Sequence, residues 1–244
     1  MSIMQRKASR WRNLCCKSLI IALVFFNFLF LGATNIAEAG EYSWSPTGPE
    51  GVKVMDVAVA PDYASSSTVF LGTYYSGLYK STNGGSSWSN ISGLENKYVS
   101  DIEISINYVS DNTLFVALGS EGIKKSTDGG GTWSTVALGY SNVSIYSISM
   151  SPNYASDNTV FAAGSPGFYK STDGGGNWTR KDTGYDFGST YFNTIKVSPN
   201  YATDSMVLVA DGTTTSGRST SGGEYWSTSI STGAVKHFYF SPNY

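Results

Sequence analysis

Two sets of side chains in this sequence have the chemistry to recognise or transform a ligand. The first is a column of polar residues, Asp56, Asp101, Ser147, Thr194 and His237. Each stands just before an apolar alternation such as Ile102 and Ile104, or Ile148 and Met150. The second is a set of aromatics in loops of unequal length: Tyr74, Tyr75, Tyr98, Tyr140, Tyr185, Phe187 and Tyr191. Exposed tyrosine offers a flat apolar face and a hydroxyl, which suits sugars and protein partners alike. Each set also has a plainer reading. The column can be the polar lining of a wet channel, and the tyrosines can simply cover loops.

Other chemistry is poorly represented. His237 is the only histidine, and without a second His or Cys at ligand spacing it makes a poor metal site; no metal and no cofactor are expected. Glycoside hydrolysis needs two carboxylates across a cleft. Asp56, Asp101, Glu121, Asp186 and Asp211 are available, but no spacing pairs them. There is no Ser/His/Asp set, and no glycine-rich loop leads into a helix to cradle a phosphate. A net charge of −2 with 14% charged residues lacks the basic face of a nucleic-acid binder.

The elements that must position these residues repeat. Ser81-Thr82-Asn83-Gly84-Gly85, Ser126-Thr127-Asp128-Gly129-Gly130, Ser171-Thr172-Asp173-Gly174-Gly175 and Ser219-Thr220-Ser221-Gly222-Gly223 begin 45, 45 and 48 residues apart. Trp88, Trp133, Trp178 and Trp226 follow in fixed phase, and Trp44 extends the series backwards. Each unit reads as an alternating strand, a Pro-Asn-Tyr-type turn, a second strand such as Val160-Phe161-Ala162, a glycine bend, a third strand, the Ser-x-Asp-Gly-Gly turn, and a fourth strand from the Trp. No helical period is apparent after residue 40. Four short strands per unit of about 45 residues predict the blades of an all-β propeller. In the turn, the Asp is expected to accept from backbone N–H groups two residues on. The tryptophan face is expected to pack between blades.

These residues resemble the Asp-box, or BNR, repeat, Ser-x-Asp-x-Gly-x-x-Trp. Asp128, Gly130 and Trp133 match it, as do Asp173, Gly175 and Trp178; Asn83 and Ser221 replace the Asp in two copies, whose turns should be less firmly tied. The resemblance covers residues 41–244 and implies a propeller built of four-stranded antiparallel blades. Sialidases, xyloglucan-cleaving hydrolases, sortilin-type receptors and the photosystem II assembly factor share the repeat, and the Ser-Pro-Asn-Tyr spacing resembles exported bacterial BNR-like proteins. A sialidase-like site would need three arginines, and after residue 39 only Arg180 and Arg218 remain. The resemblance therefore implies a non-catalytic module that binds or scaffolds a glycan or protein ligand. A xyloglucanase-like hydrolase fragment and an assembly factor are the alternatives.

The repeats fill residues 40–244. Before them, Arg6, Lys7, Arg10, Arg12 and Lys17 precede an apolar run from Leu19 to Ala33, and Ala37-Glu38-Ala39 fits a signal-peptidase site. Residues 1–39 read as a secretory signal, which leaves no stable membrane span once cleaved; an uncleaved anchor is the other reading, though 15 positions are short for a span. The remainder carries 11 basic and 17 acidic residues, a net charge of −6, and no cysteine. Four full blades are expected. Trp44 would begin an outer strand without its blade, and Val235 to Phe240 a first strand without its partners. This predicts an incomplete ring whose open edges further domains or a partner chain would cover. The Tyr-to-Ser interval within units is 17 or 18 residues, while the interval from Trp to the next first strand ranges from 12 to 17. Length variation thus falls on one face, the expected face of recognition.

Overall fold

The computed structural model describes residues 47–183, 187, 191–230 and 234–241. Four antiparallel sheets of four strands follow one another, each a simple meander in which neighbours in sequence are neighbours in the sheet. The first blade contains β1 (Val54–Val59), β2 (Val69–Thr73), β3 (Leu78–Ser81) and β4 (Ser89–Asn90). The second contains β5 (Asp101–Ile104), β6 (Leu114–Ala117), β7 (Ile123–Ser126) and β8 (Ser134–Val136). β9 (Ser144–Met150), β10 (Val160–Ser165), β11 (Gly167–Ser171) and β12 (Thr179–Arg180) form the third. β13 (Thr194–Val197), β14 (Val207–Ala210), β15 (Thr215–Ser219) and β16 (Ser227–Ile230) form the fourth. This is a propeller array, and no ring closure is found among the described residues.

The second strand of each blade is the most deeply buried, because it is paired on both edges and packed on both faces. All five residues of β2 and all four of β6 are buried. Continuous apolar runs such as Val69-Phe70-Leu71 suit that position, as a strand with two covered faces has no need to alternate. The core lies between blades. Phe70 and Leu78 pack with Ile102, Tyr108 and Leu114 of the next blade. Phe115 packs with Ile148, Tyr154 and Trp178, and Phe161 with Ile195, Val207 and Trp226.

Three expectations need correction. The turn after each first strand contains a single helical turn: α1 (Tyr63–Ser66), α2 (Tyr108–Asp111), α3 (Tyr154–Asp157) and α4 (Tyr201–Asp204). Four residues are too few to display a helical period, so the pattern was silent. Each ends on a left-handed residue, Ser67, Asn112, Asn158 or Ser205. Second, Val235–Phe240 is not a strand. The segment lies near β13, where the Tyr239 phenol acts on Lys196, but it has no strand ladder among the described residues. Trp44 and residues 1–39 lie outside those residues.

The third correction concerns the repeated glycine turn. Asp128 Oδ1 accepts from the Thr132 N–H, four residues on rather than two, at 2.9 Å, and Asp173 does the same with Asn177 at 2.8 Å. The preceding serine supplies the closer bonds: Ser126 Oγ accepts from Gly130 N and donates to Asp128 Oδ1. Asn83 and Ser221 keep the bond to the fourth residue, at 2.9 and 2.7 Å. The substituted turns are therefore tied through the same backbone group and differ in charge. Burial of Trp178 and Trp226 is nearly complete, with each indole N–H donating to the carbonyl of Gly175 or Gly223.

Glycine turns and one-turn helices share one end of the sheets. Gly84, Gly129, Gly174 and Gly222 donate their N–H to the carbonyls of Ser67, Asn112, Asn158 and Ser205. The hairpins between second and third strands, and the connections from one blade to the next, occupy the other end. There Val99 N donates to Thr73 O, Gly119 and Ile145 exchange both backbone bonds, and Phe192 N donates to Gly164 O.

Candidate binding face

At the hairpin end, four tyrosines from the first blade, the third blade and the connection into the fourth gather around Tyr98. Tyr74 and Tyr75 lie in the hairpin between β2 and β3. Their rings meet edge to face at 4.6 Å, and Tyr98 stands 5.5 Å from the first and 5.8 Å from the second. Tyr146 of β9 and Tyr191, just before β13, form a second pair with centroids 5.1 Å apart. Burial raises the pKa of Tyr98, and the phenols of Tyr191, Tyr146, Tyr74 and Tyr75 raise it further. Tyr74, Tyr75 and Tyr191 are exposed, whereas Tyr98 and Tyr146 are half-buried beneath them. Lys53 Nζ lies 4.7 Å from the centre of the Tyr74 ring. Gly119 makes room for this group: a Cβ there would come within 3.0 Å of the Tyr98 ring, and its φ of +56° is one that side chains avoid.

The remaining aromatic candidates separate from this group. Tyr140 packs on Tyr169 at 5.4 Å, its hydroxyl accepts from Arg180 N, and it borders an open groove of about 850 Å³ that also includes Glu121 and Asn142. Phe187 is not a surface contact residue. It is 4% exposed and packs edge to face with Phe168 and Phe192, so its apolar ring belongs to the core between the third and fourth blades. Tyr185 and Asp186 lie outside the described residues.

The polar column is engaged within the fold. Asp56 Oδ2 accepts from Ile102 N at 2.8 Å, Asp101 Oδ2 accepts from Ile148 N at 2.6 Å, and Ser147 Oγ accepts from Ile195 N at 3.3 Å. A second row does likewise: Glu103 accepts from Met150 N and Ser149 from Val197 N. The first strands β5, β9 and β13 thus satisfy their free edge with side chains of the preceding blade. An inner strand has one unpaired row of N–H groups, and an unmet buried donor costs roughly 1–3 kcal/mol. Thr194 is buried at the corresponding place in β13, and His237 is exposed.

Charge concentrates in this column. Asp101 Oδ1 also accepts the Ile102 N–H, so Asp56 and Asp101 share one amide. Burial first, then the Asp101 charge, pushes the Asp56 carboxyl up to about 7; the Ile102 amide and Lys196 oppose the shift. Lys196 is held above its usual range by Glu103, with Asp101 and Asp56 adding to the effect against burial. The other carboxylates are also committed. Glu121 pairs with Lys97 at 2.9 Å, and Asp211 accepts from Thr213 N and Thr215 N. No group of metal-ligating residues occurs among the described residues.

Tyr146, Glu103 and Lys196 were not singled out by the sequence. Tyr146 stands one residue before Ser147 of the column, so proximity to that column was its available signal. Also missed were Lys80, Lys125 and Lys170, each of which precedes the serine of a glycine turn. Their ammonium groups donate to Gly129, Gly174 and Gly222 carbonyls of the next blade at 2.9, 2.9 and 2.7 Å. The repetition of Lys-Ser was the visible sign.

No protein-family model matches the sequence, and no curated protein sequence is similar to it. Solved structures are similar in shape. An ancestral GH74 enzyme is 26% identical with a TM-score of 0.59, covering 72% of this chain and 25% of that one. The GH74 xyloglucanase from Xanthomonas campestris gives 15% identity and 0.52, covering 66% of this chain and 28% of the enzyme. The WD40 repeats of RRP9 give 10% and 0.57, covering 74% and 52%. The chain therefore spans about a quarter of the GH74 structures and about half of the RRP9 one. Both groups share with it the β-propeller fold.

Proposed function

We propose that this chain is an exported propeller module that binds a glycan or protein ligand on its tyrosine face and does no chemistry itself. The observation that carries this reading is the convergence of five tyrosines at the hairpin end, where inter-blade connections vary in length. Stacked phenols expose apolar area together with hydroxyls, as sugar and protein surfaces require. The column beneath supplies structure rather than a free acid and base. Export rests on the basic start, the apolar run and Ala37-Glu38-Ala39 in residues 1–39, read as a cleaved signal. Binding is tested by isothermal titration and pull-down against soluble and insoluble glycans and envelope extracts. Tyr98→Ala should weaken a measured affinity about tenfold, the equivalent of about 1.4 kcal/mol. Unchanged affinity in Tyr98→Ala and Tyr75→Ala against a confirmed ligand rejects the tyrosine face.

A glycoside hydrolase is the second reading, favoured by the likeness to the ancestral GH74 enzyme and by an Asp56 carboxyl poised near neutrality. It requires sugar release from β-glucans that Asp56→Asn and Asp101→Asn abolish. No release by the full chain removes it.

A further inference from the structure

Tyr146 and Tyr191 belong to different parts of the array. The first is held in β9 of the third blade, and the second lies in the connection entering the fourth. Their ring centres are 5.1 Å apart with planes inclined by 47°. Two phenols joined through ring carbons have twisted planes as well, and of the tilted tyrosine pairs among the described residues this one has the nearest rings, ahead of Tyr140–Tyr169 at 5.4 Å and Tyr75–Tyr98 at 5.8 Å. The pair Tyr74–Tyr75 is nearer, at 4.6 Å, but T-shaped at 69°. Tyr191 is 44% exposed, which admits an oxidant, while half-buried Tyr146 is fixed by its strand. Exposed Tyr74 and Tyr75, with Tyr98 at 5.5 and 5.8 Å from them, form a separate ring group at the same end and supply the competing phenols. The only cysteines are Cys15 and Cys16, so no thiol from residue 17 onward competes for a tyrosyl radical.

We propose that Tyr146 and Tyr191 form an oxidative cross-linking site, coupled to dityrosine by a peroxidase-type one-electron oxidant with hydrogen peroxide. Each phenol gives up one electron to the oxidant and its hydroxyl proton to water. The ring carbons beside the two oxygens then form one C–C bond. The hydrogen on each of those carbons is lost as a proton while the oxygen regains one, restoring both aromatic rings. The protein loses two hydrogen atoms in all, and one hydrogen peroxide becomes two waters. The bond fastens the third blade to the connection leading into the fourth, a covalent tie in a region without disulfides.

The test oxidises the dilute full chain with a peroxidase and hydrogen peroxide, then reads dityrosine fluorescence and maps cross-linked peptides by mass spectrometry. The expected product is a monomer lighter by two hydrogens, with one linked peptide pair containing Tyr146 and Tyr191. Tyr191→Phe keeps the ring and should keep the melting temperature, yet remove this pair. Tyr225 and Tyr239 provide the contrast, being 75% and 83% exposed and outside the cluster. Cross-links running mainly through those two residues, and hence between molecules, would show that exposure alone governs the reaction and overturn the proposal. So would an unchanged intramolecular yield in Tyr191→Phe, or a product joining only Tyr74, Tyr75 and Tyr98.

Discussion

Lys125 of the second blade donates to the carbonyl of Gly174 in the third, 49 residues on, while its ammonium lies 5.4 Å from the centre of the Phe115 ring. Phe115 in turn meets Tyr154 of the third blade edge to face at 6.2 Å. One blade thus grips the next by a cation, a ring and a carbonyl. The same grip recurs with Lys80, Phe70 and Tyr108, and with Lys170, Phe161 and Tyr201. Lys125→Met preserves the apolar stem and deletes the charge-assisted bond, which is worth roughly 1.5–3 kcal/mol. The melting temperature should drop by several degrees, with no change in ligand affinity per folded molecule. Unaltered melting in the Lys80, Lys125 and Lys170 variants together would mean the grip is not what joins the blades.

Asp128 and Asp173 should make the glycine turns sensitive to acid. Hydrogen bonds from Thr132 and Ser126 hold the Asp128 carboxyl down at about 2, and those from Asn177 and Ser171 do the same for Asp173. A carboxyl with a depressed folded pKa lends stability that is present above its ordinary value of 3.8 and is lost as pH falls through about 2. Asn83 shows that an amide can occupy the same turn. The double variant Asp128→Asn, Asp173→Asn should therefore fold normally at pH 7 and lose less stability than the parent between pH 4 and pH 2. Parallel denaturation curves for the two proteins over that range would contradict this assignment.

Asp56 should act in the opposite direction. Its carboxyl is raised from 3.8 to about 7, so its contribution is fully present below 3.8 and is lost as pH rises through 7. Asp56→Asn retains an oxygen for the Ile102 amide and removes the charge facing Asp101. The parent should lose stability between pH 4 and pH 7 relative to this variant, read as a shift in the urea midpoint. A variant whose midpoint tracks the parent across that interval would place the seam's titration elsewhere, with Glu103 and Lys196 the groups to examine.

The blades were legible in the sequence because repetition multiplies a weak local signal. One Ser-x-Asp-Gly-Gly turn says little, but four in phase with four tryptophans specify strands, turns and their order. The one-turn helices escaped because Tyr154–Asp157, four residues long, barely completes one turn of about 3.6 residues and cannot show a repeat. For the candidate site, residue type was readable and environment was not. Tyr98 and Phe187 look alike as loop aromatics, yet one sits beneath an exposed tyrosine group and the other within a cluster of rings. The column's variation from Asp56 to Ser147 suggested ligand chemistry. Carboxylate and hydroxyl oxygens equally accept an N–H from the next blade, so the position tolerates both without any ligand.

Phe187 offers the sharpest separation of these two kinds of aromatic. Its ring touches Phe168, Phe192 and Trp226 with centroids 5.3, 5.4 and 6.2 Å away, and a Cβ on Gly217 would fall 2.5 Å from its Cε1. Such packing leaves no space for rearrangement, and truncation to alanine opens a cavity. Phe187→Ala should therefore cost roughly 3–5 kcal/mol in urea denaturation while the folded fraction binds ligand as the parent does. Tyr75→Ala, 60% exposed in the parent, should show the reverse, with little loss of stability and a weaker complex. If Phe187→Ala instead lost affinity at unchanged stability, the seam between the third and fourth blades would itself be part of the binding surface, and the tyrosine face would have to be extended to include it.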